Sequence, residues 1–407
     1  MKEERKNEWK GAIKAILVVG VLCVGIGIAV AAWDDTKIAS DALTAAEWNA
    51  QVSDQKARIS PATTVIAASD SLNTSKADYV CDGSDDQITI NNAISAMPNI
   101  GGTLYFLEGN YDITDQINLT SNLTVAGTGW GTKMNLQAEL TQDYSIFMGN
   151  DVSRVVVKDM FIDLGGYLVG AGVEFMSISS SMENIEIKNV KVTGTNNEMG
   201  ISIYGNDPHK ISNVLIDGCN VVSKKYGIYL GGDWTTAAVH RFAVTNNKVI
   251  TTNYNPIAIY NGAEEGVVAN NVVYGGGHSG IALSYARYVT VVGNSVSGIP
   301  GGDEAGIELE DKHQSPAPAS NVSMYNTITG NVVRDCNWGI LLREEAASGG
   351  GADYNVVTGN VVTGCTKGIY IENGACQNNS IVANIVHGNT ADIEDSGTNT
   401  LVENNME

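Results

Sequence analysis

The chain has 407 residues, 45 of them Gly, a hydrophobic fraction of 43% and a formal net charge of −21. That length and apolar content suit one or two folded domains with a large core, and exclude global disorder. The acidic balance excludes DNA or RNA as a partner, because phosphate binding needs clustered Lys and Arg.

A Lys/Arg-rich start, "MKEERKNEWKGAIK", leads into an unbroken apolar run from Ala15 to Ala32. Such a run reads as a signal peptide cleaved after the small-x-small Ala29-Val30-Ala31, or as a retained membrane anchor. A third reading rests on "KG" before "AIKAILVV", which resembles the processing site of archaeal pilin-like precursors and would keep the run as a filament helix. All three fates put the residues after Trp33 outside the cytoplasm, at the cell surface or beyond. Sequons at Asn73, Asn118, Asn122, Asn321 and Asn378 suit an exported chain. Residues 33–62 read as a linker with one short helix, opened by the capping box of Thr44 and Glu47.

Residues 63–135 begin the folded part. Ser84 or Asp85 is placed to cap a helix running to about Met97; Gly101-Gly102 ends it and "TLYFL" starts a strand. Short alternating strands follow, "INL" and "LTV". This stretch resembles the N-terminal cap and first coils of the pectate-lyase-like right-handed β-helix superfamily. The resemblance implies an all-β, right-handed parallel β-helix with a short N-terminal capping helix.

Residues 136–407 repeat. "MGISIYG", "YGIYLGG", "NPIAIYN", "SGIALSY", "AGIELED", "WGILLRE" and "KGIYIEN" align on Gly200, Gly227, Pro256, Gly280, Gly306, Gly339 and Gly368, at spacings of 27, 29, 24, 26, 33 and 29. A second strand recurs in each unit as "CNVV", "NKVI", "NNVV", "GNSV", "GNVV", "GNVV" and "ANIV". Each unit is one coil, which buries its apolar face only by stacking on its neighbours. Period 2 turns the first and third residues after each Gly inward, such as Ile228 with Leu230 and Ile340 with Leu342. The Asn of each "N-V-V" is expected at a bend, bonding the next coil. Cys336 and Cys365 share a phase at coil spacing, within the reach of a disulfide; the alternative is two stacked thiols. No Cys-x-x-Cys pair occurs, so a zinc site of that type has no support.

The second and fourth residues after Gly face outward. Tyr204, Tyr229 and Tyr260 fall there, and exposed Tyr on a long shallow face suits sugar rings. Glu310, Arg343 and Glu372 form a ladder of alternating sign, expected at the surface. Asp303, Glu304, Glu308, Glu310 and Asp311 are dense enough for calcium, or for the paired carboxylates of a glycosidase. "GGGHSG" around His278 resembles the Gly-His-Gly of polygalacturonases, but their paired-Asp and Arg-x-Lys segments are not visible.

One motif carries more. "YGNDPH", residues 204–209, resembles the Tyr-Gly-x-Asp-Pro-His motif of mannuronan C5-epimerases. Carried over, Tyr204, Asp207 and His209 would line an active site, with Asp233 as the candidate for the family's further Asp. Removing the C5 proton of a uronate needs a base, an acid and a group that neutralises the carboxylate. His209 and Tyr204 suit the first two; Asp207 and Asp233 suit orienting His209 or, when protonated, bonding the substrate carboxylate. Lys210, Lys224, Lys225 and Arg241 are nearby in sequence to offset a polyanion's charge. The plain alternative is an Asp-Pro turn with a solvated His. Two function classes remain open: a uronate-polysaccharide lyase or epimerase, and a non-catalytic adhesin or fibre protein. The ending "NTLVENNME" lacks a capping helix and leaves a sheet edge for pairing into an oligomer or filament.

Overall fold

The computed structural model describes residues 63–98, 100–232, 238–311, 323–344 and 351–407. The apolar segment 1–32, the linker helix with Thr44 and Glu47, and Asp233 lie outside the described residues, as does the side chain of Asp311. Among the described residues no helix is long and apolar enough to cross a membrane.

The described residues form a parallel β-solenoid. An 11-stranded sheet collects the Gly-Ile strands, and a 23-stranded sheet forms the other faces. The strand pairings among them are parallel, and the registers follow the sequence alignment: Ile201 pairs with Ile228, then Ile257, Ile281, Ile307, Ile340 and Ile369. These side chains are fully buried, as are Leu230, Leu283, Leu309 and Leu342, and one continuous core runs from Ile66 to Val386. The two longest strands, Val155–Gly165 and Met182–Gly194, span two faces of the coil.

The recurring Gly has a steric cause. A Cβ on Gly200, Gly227, Gly306 or Gly339 would stand 2.2–2.3 Å from a Val Cγ1 of the short strand across the same coil. Two faces converge at these four positions, where a residue without a side chain lets them close, and Pro256 holds the phase in the one coil that departs from Gly.

The helix spans Asp86–Ala96, with Ile90, Ala93 and Ile94 buried in the core. Asp85 takes the N-cap position at φ 50°, but its side chain makes no cap bond; it accepts the Thr114 hydroxyl instead. Asp86 Oδ1 takes the Gly83 N–H at 2.9 Å.

The expected Asn ladder is present and more extensive than a single bond per bend. From Asn247 through Asn271, Asn294, Asn331, Asn360 and Asn384 to Asn405, each amide oxygen accepts both the backbone N–H and the side-chain N–H of the Asn one coil back, at 2.9–3.0 Å. The rungs bond backbone carbonyls of the preceding coil too, so buried amides are satisfied in both directions. In the first unit Cys219 holds this column, its N–H bonding Asn247 Oδ1, and Asn220 pairs with Lys248. A second ladder, Asn326–Asn355–Asn379, adds to the one expected. Cys336 and Cys365 are free thiols buried side by side, the alternative to the disulfide.

Candidate functional site

The outward columns of the 11-stranded sheet have the expected register. Glu174 aligns with Ser202, then Tyr229, Ala258, Ala282, Glu308, Leu341 and Tyr370. Tyr204 aligns with Gly231, which removes a side chain beside its ring. The Tyr204 and Tyr229 rings stack at 6.3 Å and 16°.

Exposure differs from expectation. Tyr229 and Tyr260 are only 8% exposed. They pack against each other, and with Tyr226, edge to face at centroid distances of 5.4–6.2 Å. Ala258 and Ala282, small residues one and two coils on, complete this cluster. Tyr260 donates its hydroxyl to Asn255 Oδ1 at 3.0 Å; burial, then the nearby Glu310 carboxylate, pushes that hydroxyl well above the usual phenol range. These two rings therefore do not offer themselves to a sugar. Tyr204, Tyr226 and Tyr254, each half-buried, are the rings that reach the surface.

Asp207 and His209 leave the strand Asn197–Gly205 in a tight turn, where the His209 N–H donates to the Asn206 carbonyl at 2.6 Å. Asp207 is exposed and His209 half-buried, while the Ser177 hydroxyl holds the His209 carbonyl at 3.1 Å. The motif is thus both a turn and an accessible polar corner at the end of the tyrosine face. Lys210 is exposed beside it. Arg241 is not drawn in: it lies in the strand Val239–Thr245 of the other sheet, with Nε donating to Asn213 Oδ1 at 2.9 Å. Lys224 and Lys225 turn to Asn196 Oδ1 and to Glu198.

Of the charge ladder, Glu310 and Arg343 are buried and Glu372 is half-buried. Glu308 and Glu310 are 2% and 1% exposed, and Arg343 is 8% exposed. Arg343 Nε stands 2.7 Å from Glu308 Oε1, its Nη2 3.7 Å from Glu310 Oε2, and its Nη1 donates to the Asp303 carbonyl at 3.0 Å. One guanidinium thus serves both carboxylates that were candidates for calcium or a glycosidase pair. Among the described residues no three His, Cys, Asp or Glu side chains gather as a metal would require.

The structure adds a further pair. His278 Nδ1 lies 2.9 Å from Glu304 Oε1, and Tyr254 stacks on the imidazole at 4.5 Å and 17°. Burial raises the Glu304 pKa, but the bond and charge of His278, the Arg343 charge and the Ser279 hydroxyl outweigh it and hold the carboxyl below its usual range. A carboxylate fixing one imidazole nitrogen is how a general base is commonly oriented. Glu198, Lys225, Tyr254, His278 and Glu304 all stand two residues before the aligned phase position. Extending the alignment leftward reveals the column.

Glu174 yields a pH prediction. It is 4% exposed and accepts the Ser145 hydroxyl at 2.7 Å and the Ser202 hydroxyl at 3.1 Å. Burial pushes its pKa up, against those two bonds. A folded pKa above the unfolded one means its stabilising contribution is full below about pH 4.3 and is lost as pH rises through the folded value. Glu174→Gln should keep both hydroxyl partners and melt higher than the parent at pH 7–8, where the parent must bury a charge or hold a proton against solution. The difference should vanish near pH 4. A variant that melts lower at every pH would contradict this reading.

Residues 199–361 match the family model described as the right handed beta helix region, and residues 322–407 match that of the periplasmic copper-binding protein NosD. Among the described residues no three His, Cys, Asp or Glu side chains gather in the stretch of the second match, and what that match supports is the fold. The described residues form a parallel β-helix, right-handed by the family match over residues 199–361. Its structural neighbours include the Azotobacter vinelandii mannuronan C-5 epimerase AlgE6 A-module, at 18% identity and TM-score 0.56, covering 79% of this chain and 95% of that one. The Dettilon tailspike protein matches at 17% identity and TM-score 0.55, over 79% and 62%. The Streptococcus pneumoniae surface adhesin PfbA matches at 15% and 0.55, over 79% and 93%. No curated protein matches the chain.

Proposed function

We propose that the protein is an exported, carbohydrate-active β-helix that binds a uronate-containing polysaccharide along its 11-stranded sheet and abstracts the C5 proton at the Tyr204–Asp207–His209 corner. The observation that carries this reading is the run of aromatic rings from Tyr204 through Tyr229, Tyr226 and Tyr254 to His278, with consecutive centroids 4.5–6.3 Å apart. The half-buried rings in that run give sugars an apolar face beside hydroxyls. The turn sets an imidazole and a carboxyl at its end. The description of the first neighbour, a mannuronan C-5 epimerase, points the same way.

In this scheme His209 removes the C5 proton and the electron pair delocalises into the adjacent carboxylate. Lys210 offsets the charge that accumulates there, and Asp207 orients the His209 imidazole. The Tyr204 hydroxyl then returns a proton to C5 from the opposite face, inverting the centre. Alternatively it protonates the departing O4, leaving an unsaturated sugar.

Incubating the purified chain with alginate and with pectate tests this. Either the uronate ratio changes by NMR or an unsaturated product absorbs in the ultraviolet. Neither change on either polymer overturns the catalytic reading. The alternative, a non-catalytic surface or fibre protein, is favoured by one observation: the net charge of −21 repels a polyanion. Binding without turnover would decide for it.

A further inference from the structure

One corner of the coil is left-handed in turn after turn, and three tyrosines occupy it. Asn184 and Asn213 stand there in consecutive coils, at φ 59° and 58°; Asn378 and Asn399 stand there later, at 56° and 55°. Arg154, Arg241 and Glu265 hold the same position at 59°, 51° and 58°, and Tyr288, Tyr325 and Tyr354 hold it at 55°, 59° and 53°, aligned through Thr290, Thr327 and Val356. Asn tolerates this backbone because its short amide bonds locally. Asn213 bonds Asn184, for example, and Arg241 bonds Asn213. A bulky aromatic gains no such bond, and the left-handed conformation costs about 1–2 kcal/mol per residue.

Stacking does not recover that cost. The rings lie at centroid distances of 5.4 and 5.5 Å, tilted by 12° and 28°. Two such contacts return about 0.5–1.5 kcal/mol each, against three strained residues. Burial of the rest of each side chain offsets part of it, yet the three tyrosines remain 56%, 46% and 49% exposed. Three consecutive coils thus present exposed, stacked aromatic surface at a corner that polar residues fill in the other coils.

We propose that Tyr288, Tyr325 and Tyr354 form a second carbohydrate-contacting strip, separate from the tyrosine face of the 11-stranded sheet, and that its ligand is a neutral polysaccharide. Stacked rings edged with hydroxyls meet the alternating C–H and O–H surface of a sugar chain. Coil stacking repeats them along a line, as a polymer requires. Charge selects the neutral class. The protein carries −21 overall, and the column is bordered by exposed Glu265 one coil before Tyr288, by Arg287 next to Tyr288 and by Asp353 next to Tyr354, which is no cluster of cations to hold a polyanion. The same charge opposes a second copy of this chain as the occupant. The strip works independently of the C5 chemistry.

The test uses the full chain and the triple variant Tyr288→Asn/Tyr325→Asn/Tyr354→Asn, which installs a residue this corner carries in other coils. Affinity electrophoresis is run through laminarin, hydroxyethylcellulose and dextran, with alginate as the acidic control. At least one neutral polymer should retard the parent, and the triple variant should lose at least about tenfold of that affinity. Its thermal midpoint should equal or exceed the parent's, and its behaviour with alginate should not change. His209→Ala should keep the neutral-polymer retardation. The proposal is overturned if no neutral polymer retards the parent, or if the triple variant is retarded equally. It is also overturned if only alginate binding falls, or if sedimentation reveals a parent dimer that the variant abolishes.

Discussion

Arg343→Met should lower the stability of the coil stack by about 3–5 kcal/mol at neutral pH, the usual result of removing one partner from a buried ion pair. The loss comes less from the missing attraction than from the carboxylates left behind. Glu308 and Glu310 are almost fully enclosed, and Arg343 lies within ion-pair distance of both. Without it, each carboxyl must bind a proton or carry an uncompensated charge in a medium of low dielectric. The deficit should therefore shrink as pH falls and both groups protonate. Combining Arg343→Met with Glu308→Gln and Glu310→Gln should recover most of the loss. Denaturant midpoints across pH 4–8 measure all of this. A single variant that unfolds at the parent's midpoint would mean the three groups are solvated and that the burial argument fails.

His209→Ala should reduce turnover of the responsive uronate polymer by about 10²–10⁴-fold, the range for loss of a general base. Tyr204→Phe keeps the ring that stacks on Tyr229 and removes only the hydroxyl. It should leave KM near the parent's while kcat falls. Neither change should move the melting temperature far, since His209 and Tyr204 are only half-buried. If His209→Ala retains full turnover and His278→Ala abolishes it, the chemistry belongs to the His278–Glu304 pair three coils along. The corner would then be a turn and nothing more.

Much of the fold is legible in the sequence because a β-helix writes its geometry as columns. The Gly phase and period 2 give the correct register for the 11-stranded sheet, and the inward Ile and Leu columns are fully buried. Alternation specifies which face a side chain takes, but not what lies over that face. For that reason it puts Tyr229 and Tyr260 at the surface, and Arg343 in a solvated ladder, where the structure buries all three. A lateral contact between columns is equally silent: nothing in the spacing of Glu308, Glu310 and Arg343 says that one guanidinium reaches two carboxylates. The Asn326–Asn355–Asn379 ladder and the Tyr column beside it are readable in principle. "YNTITGN" and "DYNVVTGN" carry the tyrosines immediately before the ladder Asn. An alignment anchored on the Gly-Ile strands alone passes over them.

The parallel stack has a consequence for how such a surface changes its ligand. Neighbouring strands sit about 4.8 Å apart whatever the loops do, and spacings of 24 to 33 residues between phase positions leave the registers intact. The fold is a ruler with fixed graduations. Tyr204 and His278 are three marks apart, about 14 Å, and no loop insertion can make that two and a half. A ligand whose repeat falls out of step with the marks is refused along the whole face, not at one contact. Specificity on this scaffold therefore changes by rewriting a column or by adding or removing a whole coil, in discrete jumps.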